Sequence, residues 1–303
     1  MTQGPILVTG ASGLIGSVLC DALADAGETV RAFDLRAWGA AKGDVRDADA
    51  LRDAVYGCRG VVHLAAVSRV LAAERAPEQC WNTNVGGLVN LLGALRSQSS
   101  PPWLVSASSR EVYGNQARLP VAEDAMLQPI NTYAHSKVVG ERLVAQAAAG
   151  GLRAMTVRFS NVYGRSNDYP DRVVPAFVRA ALQREPLQVH GGHQRFDFTQ
   201  VDDVVRGVVQ LVAKLDSNTT LPPALHFVGG RALSLEQLAL LIRRLCDSES
   251  PILNTRASGL HVSQFVGCGR LARDWLGWSA QTSVEAGISA LAQDFSQAVQ
   301  VHA

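Results

Sequence analysis

The chain has 303 residues, of which 47% are hydrophobic and 18% charged, and its formal net charge is +1. This composition is typical of one large globular domain or of two small lobes with a hydrophobic core. The near-neutral charge argues against nucleic acid or an anionic membrane surface as a partner. No apolar run is long enough to span a bilayer, so we expect no membrane segment.

The start of the chain and the cysteines bear on the cellular compartment. The first residues lack the charged and then apolar layout of a signal peptide. The five cysteines are scattered without a CxxC pair, which favours reduced thiols over disulfides or structural zinc. We therefore expect a cytoplasmic protein without a metal.

Short apolar runs alternate with helical patterns through the first half of the chain. They predict strands at residues 6–8, 29–33, 60–64, 103–106 and 155–159. This alternation predicts a parallel sheet with helices on both faces. The apolar sequence VVHLAA, at residues 61–66, is typical of a strand buried on both sides.

The pattern changes after about residue 160. The predicted elements are a helix at residues 174–182, strands at 187–190 and 225–228, and a turn at 191–192. Ser234 and Gln237 have the spacing of a capping box, which predicts a helix that continues to about Cys246. A further helix is predicted to end at Gly277. The absence of a repeat or linker in the sequence indicates two interleaved lobes.

A glycine-rich segment, GASGLIG at residues 10–16, lies between the first predicted strand and the first predicted helix. Its glycines allow a tight turn and a close approach to a pyrophosphate, and the helix N-terminus supplies free N–H groups. Asp34 ends the second predicted strand, at the distance expected of the acid that binds both hydroxyls of a dinucleotide ribose. This acid favours NAD over NADP, although Arg36 is a potential ligand for a 2′-phosphate.

Tyr133 and Lys137 lie four residues apart, in the sequence YAHSK. On a helix this spacing puts the phenol and the ammonium on one face. The ammonium stabilises phenolate, so the tyrosine can exchange a proton with a substrate hydroxyl near neutral pH. The serines that end the strand near residue 106 put hydroxyls at the sheet edge where ligands bind. Ser109 is therefore predicted to bind the same substrate oxygen as Tyr133.

These motifs in this order resemble the extended short-chain dehydrogenase/reductase family, in its NAD-dependent sugar epimerase/dehydratase branch. The resemblance covers nearly the whole chain. It also rests on the sequences GDVRD at residues 43–47, HLAA at 63–66, NVGG at 84–87, SSREVYG at 108–114, RFSNVYG at 158–164, FTQVDDV at 198–204 and LGW at 276–278.

The family resemblance implies an α/β fold, with a seven-strand Rossmann-type doubly wound parallel sheet and a smaller C-terminal α/β substrate lobe. Residues 1–160 and about 198–228 would form the NAD-binding domain. Residues 161–197 and about 229–303 would form the substrate-binding lobe. The family also implies a homodimer, formed through helices at about residues 70–97 and 133–149.

The resemblance further implies site roles. Tyr133 would transfer the proton, Lys137 would be its partner and bind the nicotinamide ribose, and Ser109 would be the second hydroxyl. The other residues implied to bind NAD are Gly10, Gly13, Leu14, Ile15, Gly16, Asp34, Leu35, Arg36, Asp44, Val45, Leu64, Ala65, Ala66, Ser68, Asn84, Ala107, Phe159 and Ser160. The other residues implied to contact the substrate are Arg110, Asn161 and Arg195. For Asn84 and Asn161, capping of a loop or a helix is a comparable alternative.

Two departures from the family pattern concern a nucleotide-sugar diphosphate. Phe196 occupies the place of an arginine that binds phosphate in many relatives, and Arg195, one residue earlier, is expected on the other face of a strand. In RASGLHVS, at residues 256–263, Leu260 and Ser263 replace an acid and a second arginine. The pocket is therefore predicted to be less cationic, for a smaller or unusual substrate or with other donors. The candidates for those donors are Arg165 and Arg172.

Glu111 bears on the reaction type. Dehydratases and decarboxylases of this branch have a glutamate at the matching position, which removes a proton beside a transient ketone. Those enzymes often have an aspartate or a serine before it, whereas this chain has Arg110. We therefore expect Glu111 to pair with Arg110 or Lys137 and to support the site.

The leading hypothesis is an NAD-dependent epimerase of a nucleotide sugar, in which Tyr133 takes the hydroxyl proton and a transient ketone turns over in the pocket. A dehydratase or decarboxylase that uses Glu111 is one alternative. An NAD-dependent dehydrogenase or reductase of a free sugar or another alcohol is a second. A non-catalytic dinucleotide sensor is disfavoured, because such proteins usually lose the tyrosine or the lysine.

Overall fold

The computed structural model describes residues 4–217, 219–255 and 262–301. The strands are β1 (Ile6–Thr9), β2 (Val30–Phe33), β3 (Gly60–His63), β4 (Trp103–Ser109), β5 (Ala154–Phe159), β6 (Asn161–Tyr163), β7 (Leu187–His190), β8 (Arg195–Gln200), β9 (Ala224–Phe227), β10 (Ala232–Ser234), β11 (Ile252–Thr255) and β12 (Gln264–Phe265). The α-helices are α1 (Leu14–Asp25), α2 (Ala48–Val55), α3 (Val70–Arg75), α4 (Pro77–Trp81), α5 (Gly87–Arg96), α6 (Thr132–Ala149), α7 (Val173–Leu182), α8 (Val201–Leu215), α9 (Leu235–Leu245) and α10 (Val284–Val301). Tighter 3-10 turns lie at Gly39–Ala41 and Arg110–Tyr113, and π-helical turns at Asn82–Gly86 and Ala272–Leu276.

The central sheet confirms the predicted α/β fold. Its strand order is β2-β1-β3-β4-β5-β9, and the pairs from β2 through β5 are parallel. Strands β1 and β3 are buried along their whole length, as their apolar sequences predict. The first five strands all occur where the apolar runs of the first half predicted them.

One face of the sheet is covered by helices α2, α5 and α6. Leu7, Val61 and Leu104, from three adjacent strands, belong to one buried hydrophobic cluster. The helix side chains in that cluster include Leu51 from α2, Leu91 from α5 and Val144 from α6. Burial of these apolar side chains is the main force that holds each helix on the sheet. It also places α6, with its predicted catalytic pair, over the carboxyl half of β4.

The expected seventh strand is absent among the described residues, where the sheet has six. Beyond β2 the structure has a single parallel bridge between Asp34 and Lys42. The N–H of Asp34 donates to Ala41 at 2.9 Å, and its carbonyl accepts from Gly43 at 3.1 Å. The tight turn at Gly39–Ala41 takes up the residues that a longer strand would need.

The chain divides into two compact units. The first is formed by Met1–Gly114, Glu123–Phe159 and Val205–His226, and the second by Asn115–Ala122, Ser160–Val204 and Phe227–Ala303. Residues 115–122 and 198–204, which the sequence assigned to the first lobe, therefore belong to the second unit. The physical reasons are backbone bonds between Val121 and the segment 266–268, and the pairing of β8 with β10 and β12.

The second unit contains both predicted and unpredicted elements. Helix α7, strand β7 and the capping box at Ser234 and Gln237 occur as predicted. Gly277 has φ +74° and ends the π-helical turn at Ala272–Leu276 rather than an α-helix. Strands β6, β10, β11 and β12 were not predicted, and β8 was expected only as the strand that contains Arg195 and Phe196. They are short, and their pairing depends on partners distant in the sequence.

The capping box gives a stability prediction for the second unit. Replacing Ser234 with Ala removes the side chain that accepts from the N–H of Gln237 at 3.0 Å. We expect the free energy of unfolding to fall by about 1 kcal/mol. The measurement is urea unfolding, in which the midpoint should fall while the dependence of the free energy on urea concentration stays the same. Ser296→Ala, at an exposed position inside α10, is the control and should stay within about 0.5 kcal/mol of the parent. Equal midpoints for the two variants would contradict a role for the cap.

Candidate active site

The glycine loop at residues 10–16 adopts a turn that side chains would block. Gly10 has φ +74°, and a Cβ there would lie 2.7 Å from the backbone nitrogen of Ala65. A Cβ on Gly16 would lie 2.1 Å from the carbonyl oxygen of Gly10, and one on Gly13 would lie 3.2 Å from it. Helix α1 begins at Leu14 without a side-chain cap on its first N–H groups. The loop therefore offers the open cradle and the amide donors that a pyrophosphate requires.

Asp34 links the end of β2 to the glycine loop. Its buried carboxylate accepts hydrogen bonds from the N–H groups of Ser12, at 3.0 Å, and Arg36, at 2.7 Å. The guanidinium of Arg36 donates to the carbonyl of Ser12 at 2.9 Å. The predicted ribose-binding acid and the potential phosphate ligand thus lie together at the loop. Leu35, between them in sequence, is exposed.

The end of β3 is fixed to β1 through His63. Its Nδ1 lies 2.8 Å from the hydroxyl oxygen of Thr9, which also accepts from the N–H of Ala65 at 3.3 Å. Burial, with a smaller contribution from the charge of Lys137, lowers the pKa of His63 to about 3. A neutral imidazole therefore holds the start of the segment 64–66 beside the glycine loop.

Asn84 holds the next part of that segment. Its side chain accepts from the N–H of Val67 at 2.8 Å and donates to the Val67 carbonyl at 3.1 Å. It also donates to the hydroxyl of Ser136, on α6, at 2.9 Å. Asn84 thus braces the loop that contains Ala66 and Ser68, which agrees with the loop-capping alternative.

Asp44 and Val45, two of the residues implied to bind NAD, have different surroundings. Asp44 accepts hydrogen bonds from the backbone N–H and from the guanidinium of Arg46, and the shortest of them measures 2.5 Å. This pairing lowers the pKa of Asp44. Val45 is buried in the hydrophobic cluster beneath α5. A Cβ on Gly87 would lie 2.7 Å from its Cγ2, so the glycine makes room for it.

Helix α6 presents Tyr133 and Lys137 together, as predicted. Asn131 caps the helix by accepting from the N–H of Ala134 at 2.8 Å. The Nζ of Lys137 lies 5.9 Å from the centre of the Tyr133 ring and donates to the carbonyl of Ala107 at 2.8 Å. The ammonium is thereby fixed between the phenol and strand β4.

The electrostatics of Lys137 are unusual for a lysine. Burial lowers its pKa to about 8, and the negative charge of Glu141 partly offsets this effect. Ser109 ends β4 two residues after Ala107, is half-buried, and its hydroxyl oxygen accepts from the N–H of Glu111 at 3.2 Å. A hydroxyl and a titratable ammonium therefore lie on adjacent elements of the first unit.

The carboxylate of Glu111 is buried and has two partners. One oxygen lies 2.8 Å from the guanidinium of Arg110, and the other accepts from the side-chain amide of Asn131 at 3.1 Å. The predicted pairing with Arg110 thus occurs, whereas Lys137 donates to Ala107. The bond to Asn131 was not predicted, and it connects Glu111 to the cap of α6.

The second unit contains Ser160, which was predicted to bind NAD, and Asn161 and Arg195, which were predicted to contact the substrate. The hydroxyl of Ser160 lies 2.6 Å from that of Thr199. The side-chain amide of Asn161 donates to the carbonyl of Asp197 at 3.3 Å. Arg195, the first residue of β8, is exposed, and Phe196 is buried. Phe159 ends β5 in the first unit and is also buried.

The alternative phosphate donors are already paired with acids. Arg165 lies 2.5 Å from a carboxylate oxygen of Asp202, and Arg172 lies 3.5 Å from one of Asp168. Ser263 donates from its N–H and hydroxyl to Asn115, at 2.7 and 2.8 Å. Arg256 and Leu260 lie outside the described residues.

Sequence reasoning missed the ion pair of Glu141 and Arg158. Glu141 lies one helical turn after Lys137 on α6. Its carboxylate lies 2.6 Å from the guanidinium of Arg158, and both side chains are buried. Two sequence signals were available: Glu141 is four residues after Lys137, and Arg158 is the one charged residue of the strand predicted at residues 155–159. A charge in a buried strand requires a buried partner.

The described part of the chain contains neither a metal-binding cluster nor a membrane-spanning helix. In residues 4–217, 219–255 and 262–301, no cluster of His, Cys, Asp and Glu side chains has the arrangement to hold a metal ion. Over the same ranges, no helix combines the length and the apolar character needed to cross a membrane.

Comparisons with known proteins agree with this geometry. The sequence model of the NAD dependent epimerase/dehydratase family matches residues 6–221. A UDP-glucose 4-epimerase from Streptomyces lividans is 29% identical over 302 residues, which cover 91% of this chain and 92% of the relative.

Solved structures resemble the whole chain. The structure of MoeE5 in complex with UDP-glucose and NAD has a TM-score of 0.89 at 28% identity, and the match covers 98% of this chain and 100% of MoeE5. TunA, an NAD-dependent NDP-hexosamine 5,6-dehydratase, has a TM-score of 0.86 at 30% identity, with 97% of this chain and 98% of TunA covered. The Rossmann-type fold and the use of NAD are thereby confirmed. The chain belongs to the NAD dependent epimerase/dehydratase family.

Proposed function

We propose that this protein is a 4-epimerase of a UDP-hexose or UDP-hexuronate. The observation that carries the proposal is the fixed pair of Tyr133 and Lys137 beside β4, with Ser109 at the end of the strand. The UDP-glucose 4-epimerase relative and the MoeE5 complex support UDP-sugars as the substrate class. The residues proposed to hold NAD are those of the glycine loop, Asp34 and the segment after β3.

Each residue of the candidate site in the first unit has its own part in the proposed reaction. NAD, held by the glycine loop and Asp34, would supply the reversible hydride acceptor for the sugar carbon. Tyr133 takes the proton of the C4 hydroxyl and gives it back to the oxygen of the ketone. Lys137 stabilises the phenolate by its charge, and Ser109 donates to the same substrate oxygen. No net oxidant is consumed.

Residues of the second unit are proposed to contribute to substrate binding. Asn161 and Arg195 are proposed to contact the diphosphate, because the first matches the family position and the second is exposed. Phe196 leaves this region without the arginine common in relatives. We infer that backbone and amide donors have a larger share of diphosphate binding here than in those relatives.

The proposal also covers assembly and compartment. A homodimer through residues 70–97 and 133–149 is supported by Leu71, Trp81 and Val89, large apolar side chains exposed on the first segment. A cytoplasmic location is supported by the cysteines, since none in the described ranges forms a disulfide.

Turnover with isotope-labelled sugar tests the reaction class. Purified protein is incubated with UDP-glucose, or with UDP-glucuronate, that carries deuterium at C4. We expect the 4-epimer to form with the deuterium retained at C4 and with no net rise in absorbance at 340 nm. An absorbance rise stoichiometric with product would indicate a dehydrogenase, and an unsaturated or deoxy keto sugar a dehydratase. Either result would overturn the epimerase proposal.

A dehydratase is the second candidate, because TunA is 30% identical and Glu111 is present. The two buried partners of Glu111 favour a supporting role over proton abstraction. We therefore expect Glu111→Gln to keep turnover within about tenfold of the parent, since loss of a catalytic base costs about 100-fold or more. Stopped turnover with accumulated keto sugar, in a variant of unchanged melting temperature, would instead assign the base to Glu111.

The pH dependence of turnover tests the role of Lys137. Its pKa is about 8, so the ammonium loses its proton as the pH rises through that value. Because only the cation stabilises phenolate, we expect kcat to fall above about pH 8, by up to tenfold per pH unit. Lys137→Met, the control without the charge, should be at least about 100-fold slower at pH 7 and should lack this alkaline limb. A parent profile that stays flat to pH 10 would contradict the proposed role.

A further inference from the structure

Three side chains of α6 form a stripe along the helix at intervals of four residues. They are Tyr133, Lys137 and Glu141. Lys137 donates to the carbonyl of Ala107 at 2.8 Å, and Glu141 accepts from the hydroxyl of Ser108 at 2.5 Å. Successive turns of the helix are therefore attached to successive residues of β4. The residue that follows in β4 is Ser109.

Arg158 extends this attachment to β5. Its Nε donates to one oxygen of Glu141 at 2.9 Å, and a terminal nitrogen donates to the other at 2.6 Å. This two-point contact fixes both the distance and the orientation of the carboxylate. Arg158 and Glu141 are buried, so solvent does not weaken their interaction.

The other terminal nitrogen of Arg158 connects β5 to the turn after β4. It donates to the hydroxyl of Tyr113 at 2.5 Å and to the carbonyl of Glu123 at 2.7 Å. The Tyr113 hydroxyl also lies 2.6 Å from Nε2 of His226, on β9. One guanidinium on β5 thus contacts a helix, a turn and the segment that contains Glu123.

These contacts close into a ring within the first unit. Tyr113 and Glu111 belong to the same 3-10 turn, Arg110–Tyr113. Glu111 accepts from Asn131, and Asn131 caps α6. Helix α6 returns to Arg158 through Glu141. The ring therefore attaches α6 at its N-terminus and in its middle, on either side of Lys137.

We propose that Glu141 and Arg158 are positioning residues that set the depth and rotation of α6 against β4, so that Tyr133 and Lys137 face the Ser109 hydroxyl. Apolar contacts alone would allow the helix to slide or rotate slightly, whereas a two-point ionic contact has one optimal geometry. A misplacement of about 1 Å can reduce a catalysed rate by about 100-fold. The inference rests on the proposed roles of Tyr133, Lys137 and Ser109.

A purely structural ion pair is the alternative, and the two differ in a measurable way. Replacing a buried ion pair by apolar side chains of similar volume is often neutral or stabilising. The double variant Glu141→Leu/Arg158→Met therefore removes the geometry without leaving a buried charge. We expect it to fold, to lose about 10- to 100-fold in kcat, and to change KM by less than about threefold. A kcat within twofold of the parent would overturn the proposal.

The pH at which kcat falls on the alkaline side is a second measurement. A purely structural ion pair would not change it. Lys137 faces Tyr133 and Glu141 on its own helix, Cys80 on α4 and His63 on β3. Glu141 contributes a negative charge that favours the ammonium. Its removal in Glu141→Gln, which keeps the charge of Arg158, should move the alkaline limb to lower pH, and an unchanged limb would count against the coupling of Glu141 to Lys137.

Ser108→Ala keeps the test decisive if the double variant fails to fold. It removes only the hydrogen bond to Glu141, so we expect a loss of about three- to tenfold in kcat with little change in melting temperature. Full activity of this variant would overturn the proposal. The matched control is Glu28→Leu/Arg59→Met, a pair at 2.6 Å near the amino ends of the strands. The control should retain the parent kcat.

NAD binding separates this inference from the proposed reaction. NAD affinity is measured without sugar for the parent, the double variant and the control. Since Lys137 is proposed to bind the nicotinamide ribose, we expect at least about tenfold weaker binding by the double variant only. If the parent turns over no UDP-sugar, the proposed reaction fails while this comparison still tests the positioning role. Equal affinities for all three proteins would overturn it.

Discussion

The contact between the Lys137 ammonium and the Ala107 carbonyl is the interaction on which the site depends. It joins α6 to β4 at the turn of the helix that follows Tyr133. A charged donor to a backbone carbonyl in a buried place is strong, and it is also costly to bury. The structure partly compensates by putting the charge of Glu141 one turn away. The pKa of Lys137 stays lowered because the free-energy cost of burying its charge is only partly offset.

Around this contact the first unit combines two kinds of restraint. Hydrophobic burial from Leu91, Val144 and their neighbours holds α6 on the sheet without fixing its rotation. Directional polar contacts at Asn84, Asn131 and Arg158 fix what burial leaves free. The same two kinds of restraint act at the glycine loop. Close packing at Gly10 and Gly16 shapes the loop, and the hydrogen bond from Ser12 to Asp34 orients it.

The sequence predicted those features that depend on neighbouring residues. Apolar runs identified the first five strands, the spacing of Ser234 and Gln237 identified a capping box, and the four-residue spacing of Tyr133 and Lys137 identified a shared face. Long-range pairing was not predictable in this way. Strands β8 and β12 are short and pair across more than sixty residues, and the partners of Glu111 and Arg158 come from separate elements. The seventh strand was expected from the family, but the short turn after Asp34 leaves only one bridge.

That single bridge has a consequence for association between molecules. Strand β2 is the outer strand of the sheet, and an exposed strand edge invites pairing with another chain. Thr29 and Phe33 direct their carbonyls to β1, so Val30 and Ala32 present their backbone groups outward, while those of Asp34 are taken by Ala41 and Gly43. Arg31 adds a charge at this edge, held by the carbonyls of Ala54 and Tyr56. A bare edge of two residues beside a fixed cation is a poor template for a foreign strand, so the β2 edge of the sheet is protected against pairing with another chain even without the seventh strand.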